Sequence, residues 1–172
     1  MRFLLALPAV VLVAGCAMMG IGGGPKATAN LQPTKGSNTS GTVTFTQSGD
    51  KVRVAGEVTG LRPNQEHGFH IHEAGDCSSG DGMSAKGHYN PQKKSHGQPG
   101  SPERHAGDMP SLKADANGKA KVDATLDIIT VSPGPTSVVG KGLIVHAQPD
   151  DYRTQPTGNA GARLACAVIQ GS

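Results

Sequence analysis

Tryptophan is absent, and aromatic residues make up only 3% of the 172-residue chain. With so few rings, and with no basic block or basic–aromatic interleaving, nothing points to nucleic acid as a partner. The formal net charge of +3 is mild and serves simple solubility. No segment shows a sustained helical period with caps, which argues against a helical class. Long hydrophobic runs are missing as well, apart from the N-terminus. There, Arg2 precedes an apolar run from Phe3 to Ala14 that is too short to span a bilayer and has the length of a signal-peptide core.

That run ends in Val13-Ala14-Gly15-Cys16. Small residues before a cysteine resemble a bacterial lipobox, which implies cleavage before Cys16 and a lipid on its sulfur. The alternative is an ordinary secretory signal with an incidental cysteine. Both send the mature chain out of the cytoplasm. The expected division is a signal peptide over 1–15, a lipid-anchored flexible tether over 16–38, rich in Gly, Pro, Ser, Thr and Asn, and one domain over 39–172. The chain has three cysteines. With Cys16 lipidated, Cys77 and Cys166 remain, and in an oxidising compartment a disulfide between them is the default.

The domain reads as β. "TVTFTQSGDKVRVAGEVTG" alternates apolar Val43, Phe45, Val52 and Val54 with polar residues around Ser48-Gly49-Asp50, the pattern of a hairpin. "SLKADANGKAKVDATL" places Asn117-Gly118 between two more alternating runs, a strong hairpin signal. "GLIVHA" and "RLACAVIQ" have strand length. Many short strands with turn signals predict an all-β antiparallel sandwich or barrel. A β-domain with one short helix in a loop is the second choice. The segment from Glu73 to Pro110 has few apolar residues, and so long a loop needs something other than a core to hold it.

Most of the histidines fall in or beside that segment. His70 and His72 stand two apart on an expected strand, so their side chains share a face. His88, His96, His105 and Asp108 follow at spacings of 8, 9 and 3. Three neutral imidazoles and one carboxylate make a closed four-coordinate set that suits zinc. His146 lies on another strand, and imidazole ligation with an open position suits copper. Two such sites need seven or eight ligand places, and six histidines plus Asp108 fill them if one histidine serves twice.

The stretches "HGFHIHEAGDCS", "GHYNP", "ERHAGD", "VHAQPDD" and "GNAGARLACAVI", in this order, resemble the copper/zinc superoxide dismutase family, in particular its exported bacterial members. The likeness runs from about Gly41 to Ile169. It implies an antiparallel Greek-key barrel or sandwich of about eight strands with long metal-binding loops, a family counted among the β-sandwiches. It implies an oxidoreductase that dismutes superoxide with one copper and one zinc per subunit. By the same resemblance His70, His72, His88 and His146 are copper ligands, and His88, His96, His105 and Asp108 zinc ligands, with His88 bridging. Asp150 matches the carboxylate that links a copper histidine to a zinc histidine, although Asp151 stands beside it. Arg163 matches the arginine that holds the anion near copper, so Arg163 and His88 are the expected catalytic residues. His67 matches a buried histidine that does not bind metal. Cys77 and Cys166 match the family disulfide.

The expected setting is a bacterial cell envelope, with the domain lipid-anchored to a membrane, facing the periplasm, and a homodimer allowed. Two departures stand out. The spacing from Cys77 to His88 is long, as in exported bacterial members. The segment 148–161 is short, and it lacks a clear match for the charged cluster that helps steer substrate elsewhere in the family. That leaves Arg163, with Lys93 and Lys94 as candidate helpers. A metal-buffering envelope lipoprotein without turnover, and a purely structural one, are the competing readings. The full set of ligands argues against both.

Overall fold

The computed structural model describes residues 23–172, so the expected signal peptide over 1–15 and Cys16, the expected lipidation site, lie outside the described residues. Ten strands are present among the described residues: β1 Lys26–Pro33, β2 Ser40–Ser48, β3 Lys51–Thr59, β4 Glu66–His67, β5 Phe69–His72, β6 Leu112–Lys113, β7 Ala120–Leu126, β8 Gly142–His146, β9 Arg163–Val168 and β10 Gln170–Gly171. Antiparallel pairing gives the order β5-β8-β9-β1-β2-β3-β7, with β10 beside β1 and a separate β4-β6 pair. From β3 the chain crosses to the far edge to lay down β5, then returns to set β7 against β3. This Greek-key path curls the sheet around one apolar core.

The period-two pattern explains the core. In β2, Val43 and Phe45 are fully buried, and Val52, Val54 and Val58 of β3 face them from across the hairpin. The turn at Gly49-Asp50 falls where the sequence places it.

Two expectations need correction. Residues 26–33, assigned to the tether, form β1, which pairs with both β2 and β9. Its buried positions are Ala27, Ala29 and Leu31, alternating with Lys26, Thr28, Asn30 and Gln32. Two alanines give a weak hydrophobic signal, and the Gly- and Pro-rich flanks masked it. The Asn117-Gly118 turn forms as expected, but it does not join two paired strands. β6 pairs with β4, whereas β7 pairs with β3. A turn signal fixes a reversal of the chain, not its hydrogen-bonding partner.

The long segment after β5 contains one 3₁₀ turn, Met83–Ala85, and is otherwise irregular. It folds back over β5: His72 bridges to His88 and His70 to Asp108. Its first part is fastened by the Cys77–Cys166 disulfide, which joins it to β9 with a Cα–Cα distance of 5.8 Å. Closing 89 residues of chain contributes about 4–5 kcal/mol by loop-closure entropy.

Candidate metal centre

Strand alternation builds the first half of the site. Along β5, Phe69 and Ile71 enter the core, so His70 and His72 emerge on the opposite face. β8 pairs with β5 and ends at His146, where a register shift to β9 turns this histidine toward them. The overlying loop brings in His88. These four residues form one buried group whose ligand atoms all lie within 4.8 Å of one another. His88, His96, His105 and Asp108 form a second buried group within the same limit, so His88 belongs to both.

Hydrogen bonds fix which ring nitrogen is free. His72 Nδ1–H donates to the Lys86 carbonyl at 2.8 Å, and His146 Nδ1–H donates to the Gly161 carbonyl at 3.3 Å. A carbonyl only accepts, so each of these rings carries its proton on Nδ1. Burial, the largest cause, and neighbouring histidines hold both rings well below the ordinary imidazole pKa, so they are neutral. Their Nε2 lone pairs then face one another at 3.3 Å. His70 Nδ1 and His88 Nε2 are buried with no hydrogen-bond partner. Unpaired buried nitrogens aimed into one space are costly unless a cation fills it. Neutral imidazole donors suit copper.

The second group converges on one oxygen. Asp108 Oδ1 lies 2.9 Å from His88 Nδ1, 3.0 Å from His96 Nδ1 and 3.3 Å from His105 Nδ1. His96 Nδ1 comes this close without making a hydrogen bond to the oxygen. Asp108 Oδ2 accepts from the backbone N–H groups of Gly97 and His105 at 3.1 and 2.9 Å, which holds the carboxylate in place. Burial opposes its ionisation, but the adjoining His105, His88 and His96 rings outweigh burial and keep it well below the carboxylate range. Three nitrogens and one oxygen fit four-coordinate zinc.

Asp150 ties the groups together. Its Oδ2 accepts from His70 Nε2–H at 2.6 Å and its Oδ1 from His96 Nε2–H at 2.9 Å. The neighbouring Asp151 instead caps its own loop, accepting from the N–H groups of Arg153 and Thr154. Gly158, at φ +64°, crosses the Asp150 carboxylate so closely that a Cβ there would collide with Oδ1. His67 stays outside both groups and donates from Nδ1 to the His146 carbonyl at 2.8 Å.

A cavity of about 250 Å³ opens onto His72 and His146, and its one charged wall residue among the described residues is Arg163. Arg163 is half-buried and donates to the carbonyls of Gly82 and Lys86 at 2.5 and 2.6 Å. Lys93 and Lys94 do not line this cavity, and Lys94 Nζ donates to the Pro102 carbonyl at 2.5 Å. Sequence reasoning missed Gln155. Its side chain accepts from the N–H and donates to the C=O of His96, each at 2.9 Å. It also missed the Lys86 and Gly161 carbonyls, which leave no trace in side-chain identity.

Comparisons with known proteins agree with this geometry. The sequence model of the family described as copper/zinc superoxide dismutase matches residues 39–169. The chain is 45% identical over 152 residues to the copper/zinc superoxide dismutase of Candida glabrata, covering 84% of this chain and 96% of that one. It is 46% identical over 138 residues to the enzyme of Saccharomyces cerevisiae, covering 76% and 88%. The enzyme of Paramecium bursaria Chlorella virus 1 is 43% identical over 135 residues, covering 75% and 71%. Among solved structures, that of the clock protein EA4 superposes with a TM-score of 0.78 at 40% identity, covering 88% of this chain and 97% of that one. The chain belongs to the copper/zinc superoxide dismutase family. It is an oxidoreductase acting on superoxide, and its two groups match the copper and zinc sites typical of that family.

Proposed function

We propose that superoxide is dismuted to dioxygen and hydrogen peroxide in the cavity bounded by Arg163, with copper held by His70, His72, His88 and His146 and zinc by His88, His96, His105 and Asp108. The observation that carries this reading is the sharing of His88 between two buried four-residue groups. Taking an electron from one superoxide and giving it to a second is the chemistry copper supplies when bound, while zinc has no redox chemistry.

The chain's own groups do the rest. The Arg163 guanidinium attracts the anion and presents the N–H donors not used on Gly82 and Lys86. His88 Nε2, buried and unpaired, is the atom that takes up a proton and returns it to the reduced substrate. Asp108 faces Nδ1 on the other side of that ring, and a zinc ion held by both would fix the ring's orientation. Asp150 fixes the tautomers of His70 and His96 together, which keeps both ligand sets in one orientation. Replacing His88 by Ala should lower the affinity for both metals at once. A variant that keeps full zinc and copper would remove the shared role.

We also propose export to a bacterial envelope with a lipid on Cys16, facing the periplasm. The basic residue, short apolar run and Val-Ala-Gly-Cys order support it. Cys16→Ser should release the protein from the membrane fraction or block its processing. A wild-type mature N-terminus well past residue 16 without lipid mass overturns this. A homodimer is compatible with this reading, and sedimentation of the purified protein tests it.

A further inference from the structure

Met83 is one of two large hydrophobic residues with high exposure among the described residues, at 60%. It does not sit on a featureless surface. It helps form the wall of the 250 Å³ cavity that reaches His72, His146 and Arg163. The backbone there is well held: Met83 N–H donates to Asp81 Oδ1 at 2.9 Å, and the preceding Gly82 packs against the Arg163 side chain. An anchored backbone thus carries a flexible, apolar side chain at the opening of a site that also presents two imidazoles and a guanidinium.

Packing does not account for this placement. Methionine has three rotatable bonds and a soft, polarizable thioether. Soft thioethers select Cu(I), while zinc prefers nitrogen, oxygen or thiolate donors. The histidines behind it are buried, and His70 Nδ1 and His88 Nε2 lack any partner, so a cation arriving through this opening meets Met83 before it meets them.

We propose that Met83 is the entry ligand for Cu(I): its thioether captures the ion at the cavity mouth and passes it to His72 and His146. Copper remains in the +1 state through this hand-off, so no oxidant or reductant takes part. The inference rests on the assignment of copper to the His70, His72, His88 and His146 group.

The test uses zinc-loaded, copper-free protein mixed with Cu(I) bound to a coloured chelator, and follows the loss of the chelate colour. Met83→Leu keeps the volume and removes the sulfur. Zinc content and circular dichroism report that the variant is folded. The variant should take up Cu(I) about tenfold more slowly, equivalent to ~1.4 kcal/mol in the barrier. It should reach the same final copper content, and it should take up Cu(II), which favours nitrogen and oxygen donors, at the wild-type rate. Equal Cu(I) rates for the two proteins overturn the proposal. Equal slowing of Cu(I) and Cu(II) also overturns it, since that reports access and not sulfur. Failure of both proteins to take up copper indicts the copper assignment instead.

Discussion

His72 and Arg163 donate to the same oxygen, the carbonyl of Lys86, at 2.8 and 2.6 Å. One peptide group therefore orients both a ring of the four-histidine group and the cation beside the cavity. That peptide lies between Cys77 and His88, in the stretch the disulfide pins to β9. A shift of this segment would move ring and guanidinium together.

Lys86 adopts φ +65° and ψ −150°, a region that side chains other than glycine rarely enter. Lys86→Gly should relieve strain of about 1–3 kcal/mol, offset by ~0.5–1 kcal/mol of glycine chain entropy. The expected net is stabilisation by ~1 kcal/mol, read from denaturant midpoints, with metal content unchanged. Destabilisation would show that the lysine side chain contributes more than its backbone costs.

Arg163 bounds the cavity as its one charged side chain among the described residues. Arg163→Ala should lower the second-order rate with superoxide by about an order of magnitude or more and flatten its dependence on ionic strength. Copper and zinc contents should hold. Arg163→Lys should restore much of the salt dependence but less of the rate, because an ammonium lacks the fork that spans two carbonyls. A normal rate and salt slope in the alanine variant would reduce Arg163 to a surface cation.

His146 and Asp108 should separate the metals. His146→Ala is expected to weaken copper and abolish dismutation with zinc retained. Asp108→Ala should lose zinc first. It also strips the acceptor from the N–H groups of Gly97 and His105, loosening the loop. Metal analysis and hydrogen exchange over residues 73–110 check both. Equal loss of both metals in the two variants contradicts separate assignments.

Metal-free protein should have a distinct pH profile. His70, His72, His88 and His146 are held below the ordinary imidazole pKa chiefly by burial, His88 at about 4. The unfolded chain takes up protons that the folded chain refuses, so stability falls as the pH drops below about 6.5. His96 runs the other way. Burial alone would lower it, but the carboxylates of Asp108 and Asp150 beside it push it up to about 9. Its contribution is complete below about 6.5 and is lost as the pH rises through that higher value. Denaturant midpoints of chelator-treated protein should therefore peak near pH 6.5. A profile that climbs steadily from about pH 5 to 9 would contradict the balance of these groups.

The two histidine-rich groups were largely legible in the sequence because their members are side chains of distinctive type. His70 and His72 at a spacing of two, and the separate placement of His146, carry their geometry in strand periodicity. What stayed hidden depends on backbone or on weak signals. The carbonyls of Lys86 and Gly161 fix tautomers regardless of which residue supplies them. β1 escaped notice because Ala27 and Ala29 alternate almost as quietly as a polar linker. The choice of Asp150 over Asp151 follows only from folding, which aims one carboxylate at His70 and His96 and the other at its own loop.

The central claim is that the four-histidine group holds the metal that turns over superoxide. It is tested most directly by superoxide decay after pulse radiolysis, using samples of graded copper loading whose copper and zinc are counted by mass spectrometry. The account predicts one copper and one zinc per chain at saturation, a second-order rate proportional to copper content, and no catalysis in zinc-only protein. Fully copper-loaded protein that consumes superoxide no faster than buffer would contradict it.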